Sequence, residues 1–275
     1  MMYQLLDSGD GQKLERFGEY TLLRPCAQAV WRSSAKFSAD AVFTREEKWV
    51  FHKKLPKSWT VMHGGVEFQI APTDFGHLGL FPEHADLWEW MRPFIQKKSR
   101  ILNLFAYSGG VTIAAAQEGA EVCHLDASKG MVDWARENAS LNQLQKAPIR
   151  WIVDDVLKFL KREKKRKSLY DAIILDPPTF GRGSQGGGFL RWSATSSPFW
   201  SFATNFYQKS PFLCSSLATL PALPLFACTI SSLKRCRQGT SKPEKWPFIP
   251  LVLFPFPVGV LQNGPRDQQP SKSKD

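Results

Sequence analysis

The chain lacks the usual marks of a metalloprotein or a disulfide scaffold. Its five cysteines, Cys26, Cys123, Cys214, Cys228 and Cys236, form no C-x-x-C pair. That spacing excludes the common zinc sites, so no metal is expected. An odd thiol count also fits a reducing compartment. The first residues show no basic stretch followed by a long apolar core, so no secretory leader is expected and a cytoplasmic location is. Acidic residues become scarce towards the end. Only three of the 25 acids, Glu244, Asp267 and Asp275, lie after residue 185, against ten Lys and Arg. The net charge of +11 favours a polyanionic partner, but most of the excess lies in this last third.

Unbroken periodicity is missing from the same segment. Residues 186–275 hold 11 of the 19 prolines, and these interrupt every apolar run. Proline removes a backbone donor, so neither a helix nor a central strand is expected to continue far, and no fifth strand is evident after residue 185. Residues 211–230 approach the length of a membrane span, but two internal prolines and four Ser/Thr argue against one, and no membrane partner is expected. Residues 186–275 are thus expected to be a low-order tail rich in Pro, Ser and aromatics, irregular, translated out of frame, or drawn from an unrelated terminal exon or insertion. Reading the gene's other two frames past the Gln185 codon tests the second idea. It fails if neither frame continues a strand-helix pattern.

Before that seam the chain is well patterned. Residues 1–82 read as a β-rich region, with turns at Ser8-Gly9-Asp10-Gly11 and at His63-Gly64-Gly65. Residues 83–98 read as a helix with Leu87, Met91, Phe94 and Ile95 on one face. From Ile101 strands and helices alternate. Strands are expected at 101–105, 120–125, 149–153 and 171–175, and helices at 110–118, 129–142 and 155–165. On the second helix Met131, Trp134, Ala135 and Asn138 fall on one face. Such alternation implies a parallel sheet, and ligands of parallel sheets bind beyond the carboxyl ends of the strands.

Four polar or glycine clusters fall at those ends. Phe105, Tyr107, Ser108, Gly109 and Gly110 make a glycine turn whose backbone can approach a ligand closely. Asp126 follows Gly109 by 17 residues and ends the next strand, where a carboxylate can accept from both hydroxyls of a ribose. The same carboxylate could instead cap the helix that starts near Ser128. Asp155 is placed to accept from the exocyclic amine of adenine, or to cap the helix that follows it. Asp176, Pro177, Pro178 and Phe180 end the strand YDAIIL. There Asp176 can hydrogen-bond a flat base, the prolines can hold a rigid lip, and Phe180 can stack on the base. Together these features point to S-adenosylmethionine chemistry rather than to a dehydrogenase.

The G-x-G-x-x-G match at Gly181–Gly186 is a decoy, because no amphipathic helix follows it. The basic run from Lys161 to Lys167 could meet RNA phosphates or could be a solvated helix end. Residues 73–84 form a Gly/His/aromatic loop able to fold over a cofactor, with His77 and His84 read as structural.

The stretches YQLLDSGDGQKLERFGEYTLLRP, FGHLGLFPEH, NLFAYSGG, HLDASKG, WARENA, VDDVLKFL and DPPTFGRG occur in that order. Over about residues 3–185 the chain resembles class I S-adenosylmethionine-dependent methyltransferases, and in particular the group similar to bacterial large-subunit rRNA cytosine-5 methyltransferases. The resemblance implies an α/β fold: a small β-rich N-terminal region at 1–82, then an incomplete Rossmann-like core at 83–185. It implies cofactor binding by the 105–110 turn, Asp126 and Asp155, a base held by Asp176 and Pro177, and RNA, in particular rRNA, as partner. The sequence departs from the cytosine-5 pattern in lacking a Ser-Cys strand end after residue 185. Cys214 and Cys228 sit in proline-broken runs, so the base and atom methylated stay open, as does catalytic activity itself. The alternative is a non-catalytic RNA- or cofactor-binding remnant. Oligomeric state is not readable from the sequence.

Overall fold

The computed structural model describes residues 2–176 in full. It describes residues 180–182, 189–191, 207–216 and 252–254 by backbone alone. Residues 3–51 form a five-stranded sheet in sequential order: β1 (Tyr3–Gly9), β2 (Gln12–Phe17), β3 (Tyr20–Pro25), β4 (Ala41–Thr44) and β5 (Lys48–Phe51). All neighbours are antiparallel except β3 and β4. A separate hairpin follows, β6 (Trp59–His63) and β7 (Val66–Ile70). Its turn is Gly64-Gly65, with φ of +54° and +74°. Two left-handed residues in succession match the strand twist of a tight hairpin. Both turns expected in the β-rich region are therefore present.

The expected helix at 83–98 is shorter and broken. A 3-10 turn at Pro82–His84 leads into α1 (Ala85–Met91), and a second turn at Arg92–Phe94 ends it. Pro93 cannot continue the ladder of α1, and Phe94 is left half exposed rather than on the inner face. Leu87, Trp88 and Met91 carry the burial.

The core then alternates as expected: β8 (Arg100–Leu104), α2 (Gly110–Gln117), β9 (Glu121–Asp126), α3 (Lys129–Leu141), β10 (Ile149–Val153), α4 (Val156–Arg166) and β11 (Tyr170–Leu175). These strands are all parallel, and β8 and β11 are flanked on both sides. Strands covered on both faces read as continuous apolar runs, which is why RILNL and YDAIIL show no alternation. Leu102, Leu104, Ile173 and Leu175 pack under α4 with Phe159 and Leu160. Ile101 and Ile174 face the opposite side, with α2, the hairpin and α1.

On α3 the buried set is Val132, Ala135, Asn138 and Ala139, with Met131 and Trp134 half buried. The anticipated stripe is thus displaced by about one residue. Trp134, Asn138 and Asn142 zip this helix to the open edge of β7. Trp134 Nε1 donates to the Gln69 carbonyl at 2.8 Å, Asn138 Oδ1 accepts from Gln69 N at 2.8 Å, and Asn142 Oδ1 accepts from Glu67 N at 3.0 Å. Side chains here replace the missing neighbour strand.

The expectation of no strand beyond residue 185 does not hold. After a short antiparallel pair, β12 (Phe180–Arg182) with β13 (Phe189–Arg191), strand β14 (Tyr207–Ser216) runs parallel to β11, and β15 (Val252–Phe254) runs beside it. Pro211 is accommodated because the β11–β14 register slips between Tyr170 and Ala172. A bulge tolerates the missing donor that a regular ladder would not. The remainder of the 186–275 segment, including Cys228, Cys236 and much of the 211–230 run, lies outside the described residues. Sheet order is β10-β9-β8-β11-β14-β15. The chain leaves β8 in one direction for β9 and β10 and returns past it to β11, so a switch point opens between β8 and β11. Parallel sheets of this kind bind ligands at that crevice.

Candidate functional site

The crevice lies at the switch point. It is open to solvent and is lined by the 105–111 turn, by Phe81 and His84, by Trp88 of α1, and by Asp176. The turn after β8 is wound unusually. Phe105 and Tyr107 have φ of +57° and +51°, and Gly109 has +91°. Left-handed non-glycine residues cost of order 1–3 kcal/mol each and are held only where neighbours over-determine them. The neighbours here are explicit. Ala106 N donates to the Leu125 carbonyl at 3.0 Å, and Tyr107 N donates to Asp126 Oδ2 at 2.9 Å. No sequence signal marked Phe105 or Tyr107 as strained, because neither residue type announces a positive φ.

Asp126 ends β9 with its carboxylate directed over the turn of β8, not into its own helix. Oδ1 accepts from Ser128 N at 2.9 Å, while Ser128 is itself the cap of α3, its Oγ accepting from Met131 N. Of the two roles open to Asp126 in the sequence, the helix cap therefore belongs to Ser128. Burial raises the Asp126 pKa, opposed by backbone donors from Ser128, Tyr107 and Ala127.

Ser108 and Gly110 line the crevice but also serve the packing around it. The Ser108 hydroxyl donates to the Gly79 carbonyl and ties the 73–84 loop over the turn. A Cβ on Gly110 would lie 2.5 Å from Trp88 Cζ3, and one on Gly109 would lie 3.0 Å from Ala135 Cβ. Gly110 is thus required by the approach of α1, an explanation the sequence did not offer. Beneath the turn, Asn103 Nδ2 donates to Thr112 Oγ1 at 2.9 Å, and Thr112 Oγ1 lies 2.9 Å from His124 Nδ1. His124 is wholly buried, and burial pushes its pKa down to about 3, so it stays neutral.

Asp155 does not line the crevice. It is the N-cap of α4, with Oδ1 accepting from Lys158 N at 3.0 Å. Neighbouring Asp154 is engaged by Arg162. Of the basic run, Arg166 pairs with Glu163 at 2.8 Å.

Asp176 closes the crevice from the β11 side. Its Oδ2 stands 3.5 Å from Nε2 of His84. Burial, assisted by the charge of Glu83, pushes the Asp176 pKa up to about 7. Burial holds His84 below its ordinary value, against the pull of Glu83. The His84 ring rests on Phe81 at 5.3 Å, and Phe81 packs on Tyr107 at 5.0 Å and on His77 at 5.4 Å. His84 is the site residue that sequence reading missed. It lies 92 positions before Asp176, and no spacing rule links them. Pro177 and Pro178 lie outside the described residues. Phe180 is described only as backbone in β12.

The 73–84 loop is braced from the N-terminal sheet. Arg24 Nη1 donates to the Gly76 carbonyl at 3.1 Å, and Arg24 forms a two-pronged ion pair with the fully buried Glu15 at 2.8 and 3.0 Å.

Among the described residues there is no His/Cys/Asp/Glu group able to hold a metal ion, and no helix long and apolar enough to cross a membrane.

Comparison with known proteins agrees with this architecture. Residues 41–188 match the family described as S-adenosylmethionine-dependent methyltransferase. Curated relatives include the ribosomal RNA large subunit methyltransferase K/L of Syntrophotalea carbinolica, 38% identical over 133 residues, and that of Pseudoalteromonas atlantica, 37% identical over 130. These alignments cover 47% of this chain and 18% of each relative, so the chain spans under a fifth of their length. Among solved structures, the SAM-dependent methyltransferase of Agrobacterium tumefaciens is 38% identical with a TM-score of 0.72, covering 81% of this chain and 74% of that one. SMU.776, solved in complex with SAH, shares the fold at 18% identity and a TM-score of 0.66, covering 88% of this chain and 67% of that one. With the family matched over more than half its length and the crevice at the expected switch point, the chain belongs to the S-adenosylmethionine-dependent methyltransferases.

Proposed function

We propose that the chain methylates a base of RNA, in particular ribosomal RNA of the large subunit, at the crevice between β8 and β11. The observation that carries this reading is the meeting there of the left-handed 105–110 turn, the Asp126 carboxylate and Asp176, from three strand ends. The curated relatives' names supply the rRNA substrate class. The bound cofactor supplies an electrophilic sulfonium methyl.

The chain's own residues fit such a group. Asp126 presents a carboxylate for the ribose, already held over the turn by Tyr107 N. The backbone of Phe105, Tyr107, Ser108, Gly109 and Gly110 forms the wall for the methionine end. Asp155 lies outside the crevice lining and spends Oδ1 on the α4 cap, so its Oδ2 meets the adenine amine only where the cofactor extends past Asp126 to the end of β10. Asp176, at the opposite wall, faces the incoming base, with Pro177, Pro178 and Phe180 next in sequence as the lip. The methyltransferase core runs past the boundary expected near residue 185, because β14 and β15 join its sheet. The site of action is the cytoplasm, where ribosomal RNA is found.

Calorimetric titration with S-adenosylmethionine tests the cofactor half. Asp126→Ala should weaken binding by on the order of 10-fold or more, the loss of two charge-assisted hydrogen bonds. Transfer of labelled methyl to an unmodified large-subunit rRNA transcript, but not to DNA, tests the substrate half. A chain that binds S-adenosylmethionine yet transfers to no RNA supports the remnant reading instead.

A further inference from the structure

Sequence pattern alone makes His84 structural, yet it stands inside the crevice. Its Nε2 is 3.5 Å from Asp176 Oδ2, and both side chains are largely enclosed. That separation is a few tenths of an ångström beyond a hydrogen bond, and catalytic contacts of this kind tighten when substrate is bound. The imidazole cannot wander, because Phe81 holds one face and Phe81 is itself clasped by Tyr107 and His77. The 3-10 turn carrying His84 is locked beside it by His63 Nε2, 2.8 Å from the Pro82 carbonyl. A histidine fixed this firmly against a buried carboxyl at the mouth of a ligand crevice is placed to govern that carboxyl.

We infer that His84 is the positioning residue for Asp176, and that the couple, ionised before transfer, takes up the one proton released from the target base nitrogen and holds it between the two side chains. This deepens the proposed methyl transfer and rests on it. The base nitrogen gives its lone pair to the methyl carbon, the carbon–sulfur bond breaks with its electrons left on sulfur, and the N–H proton passes to the ionised couple. Product release returns that proton to solvent. The couple suits an N–H target, which must lose a proton, and among the described residues no thiol lines the crevice to serve a carbon target.

Burial supports the same reading. It raises Asp176 and holds His84 below its ordinary value, so the enclosure disfavours the charged form of each. Among the described residues the charged groups around the couple are few. Glu83 adjoins it on the same turn, Lys13 and Arg24 of the N-terminal sheet reach Glu83, His77 lies across Phe81, and Tyr107 faces from the β8–α2 turn.

Carbon-13 and nitrogen-15 NMR of the full chain between about pH 5 and about pH 9, with and without SAH, reads the couple directly. The His84 ring and the Asp176 carboxyl carbon should share inflections, and Asp176→Asn should move the His84 inflection by about one pH unit or more. A His84 signal indifferent to Asp176→Asn overturns the inference. Methyl transfer to the unmodified rRNA transcript gives a second reading. His84→Ala should lower kcat near neutral pH by on the order of 10-fold or more and displace the acid limb of the pH profile, with KM for S-adenosylmethionine unchanged. His84→Gln, which keeps a donor, should recover part of the rate. An equal loss at every pH, with no displacement and no rescue, refutes the role. Failure of the wild-type chain to bind S-adenosylmethionine refutes the proposed function instead, and the NMR coupling then stands or falls separately.

Discussion

Replacing Asp176 by Asn tests the electrostatics of the crevice. The Asp176 carboxyl is pushed up to about 7 by burial, assisted by Glu83, from an ordinary value of 3.8. A carboxyl with a raised folded pKa keeps its proton longer in the folded state than in the unfolded one. Stability is therefore intact below the ordinary value, is lost progressively as pH rises through the interval to 7, and is fully lost above it. A tenfold difference in proton affinity between the two states corresponds to about 1.4 kcal/mol, so the fold should lose on the order of 2–3 kcal/mol between pH 5 and pH 8 through this group alone. Asn is close in shape and cannot ionise. Urea denaturation of both proteins at the two pH values isolates the effect, because His77 and His124 are common to both and cancel, while the repulsion from Glu83 is part of the Asp176 shift being read. The stability of Asp176→Asn relative to wild type should rise by about 2 kcal/mol from pH 5 to pH 8. A difference constant within about 0.5 kcal/mol, the scatter expected of such measurements, refutes the burial argument for this side chain. Running the pair in a His84→Gln background shows how much of the change passes through the imidazole.

Three further outcomes are expected. Arg24→Met removes the two-pronged partner of the fully buried Glu15, leaving it Lys13 and the Tyr3 hydroxyl, and should cost about 3 kcal/mol in urea denaturation, part of it recovered when Glu15→Leu is added. Gly110→Ala forces a methyl against Trp88 and should destabilise by about 1–3 kcal/mol with a change in tryptophan fluorescence, relieved in part by Trp88→Leu. Asn138→Ala removes the donor to the Ser108 carbonyl and the acceptor for Gln69 N, so about 2–4 kcal/mol should be lost and amide exchange at Gln69 should accelerate.

Short-range chemistry explains why some of this molecule was legible before its structure. The strands β8 to β11 and helices α2 to α4 were visible because a buried parallel strand must be apolar throughout, while a helix laid on it must repeat near 3.6 residues. The Gly64-Gly65 hairpin was visible because two successive left-handed residues call for glycine. The break of α1 at Pro93 was written in the chain too, and the expectation of a helix to residue 98 passed over it.

Long-range geometry decided the rest. Local pattern carries no information on strand order, so the switch point between β8 and β11 emerged only with the sheet assembled. Tyr207–Ser216 joins that sheet despite Pro211, because a slipped register absorbs what a regular strand could not. Asp126 was identifiable as a carboxylate at a strand end, but its aim over the turn rather than into α3 depended on Ser128 taking the cap. Asp155 had the same two readings, and the helix following it claimed one oxygen. His84 and Asp176 meet only because the 3-10 turn before α1 and the end of β11 converge on one crevice. By itself the sequence determined which segments form strands and helices and which residues are chemically capable. Tertiary structure alone decided which of them face one another, since a side chain's partner depends on packing between segments that share no sequence neighbourhood.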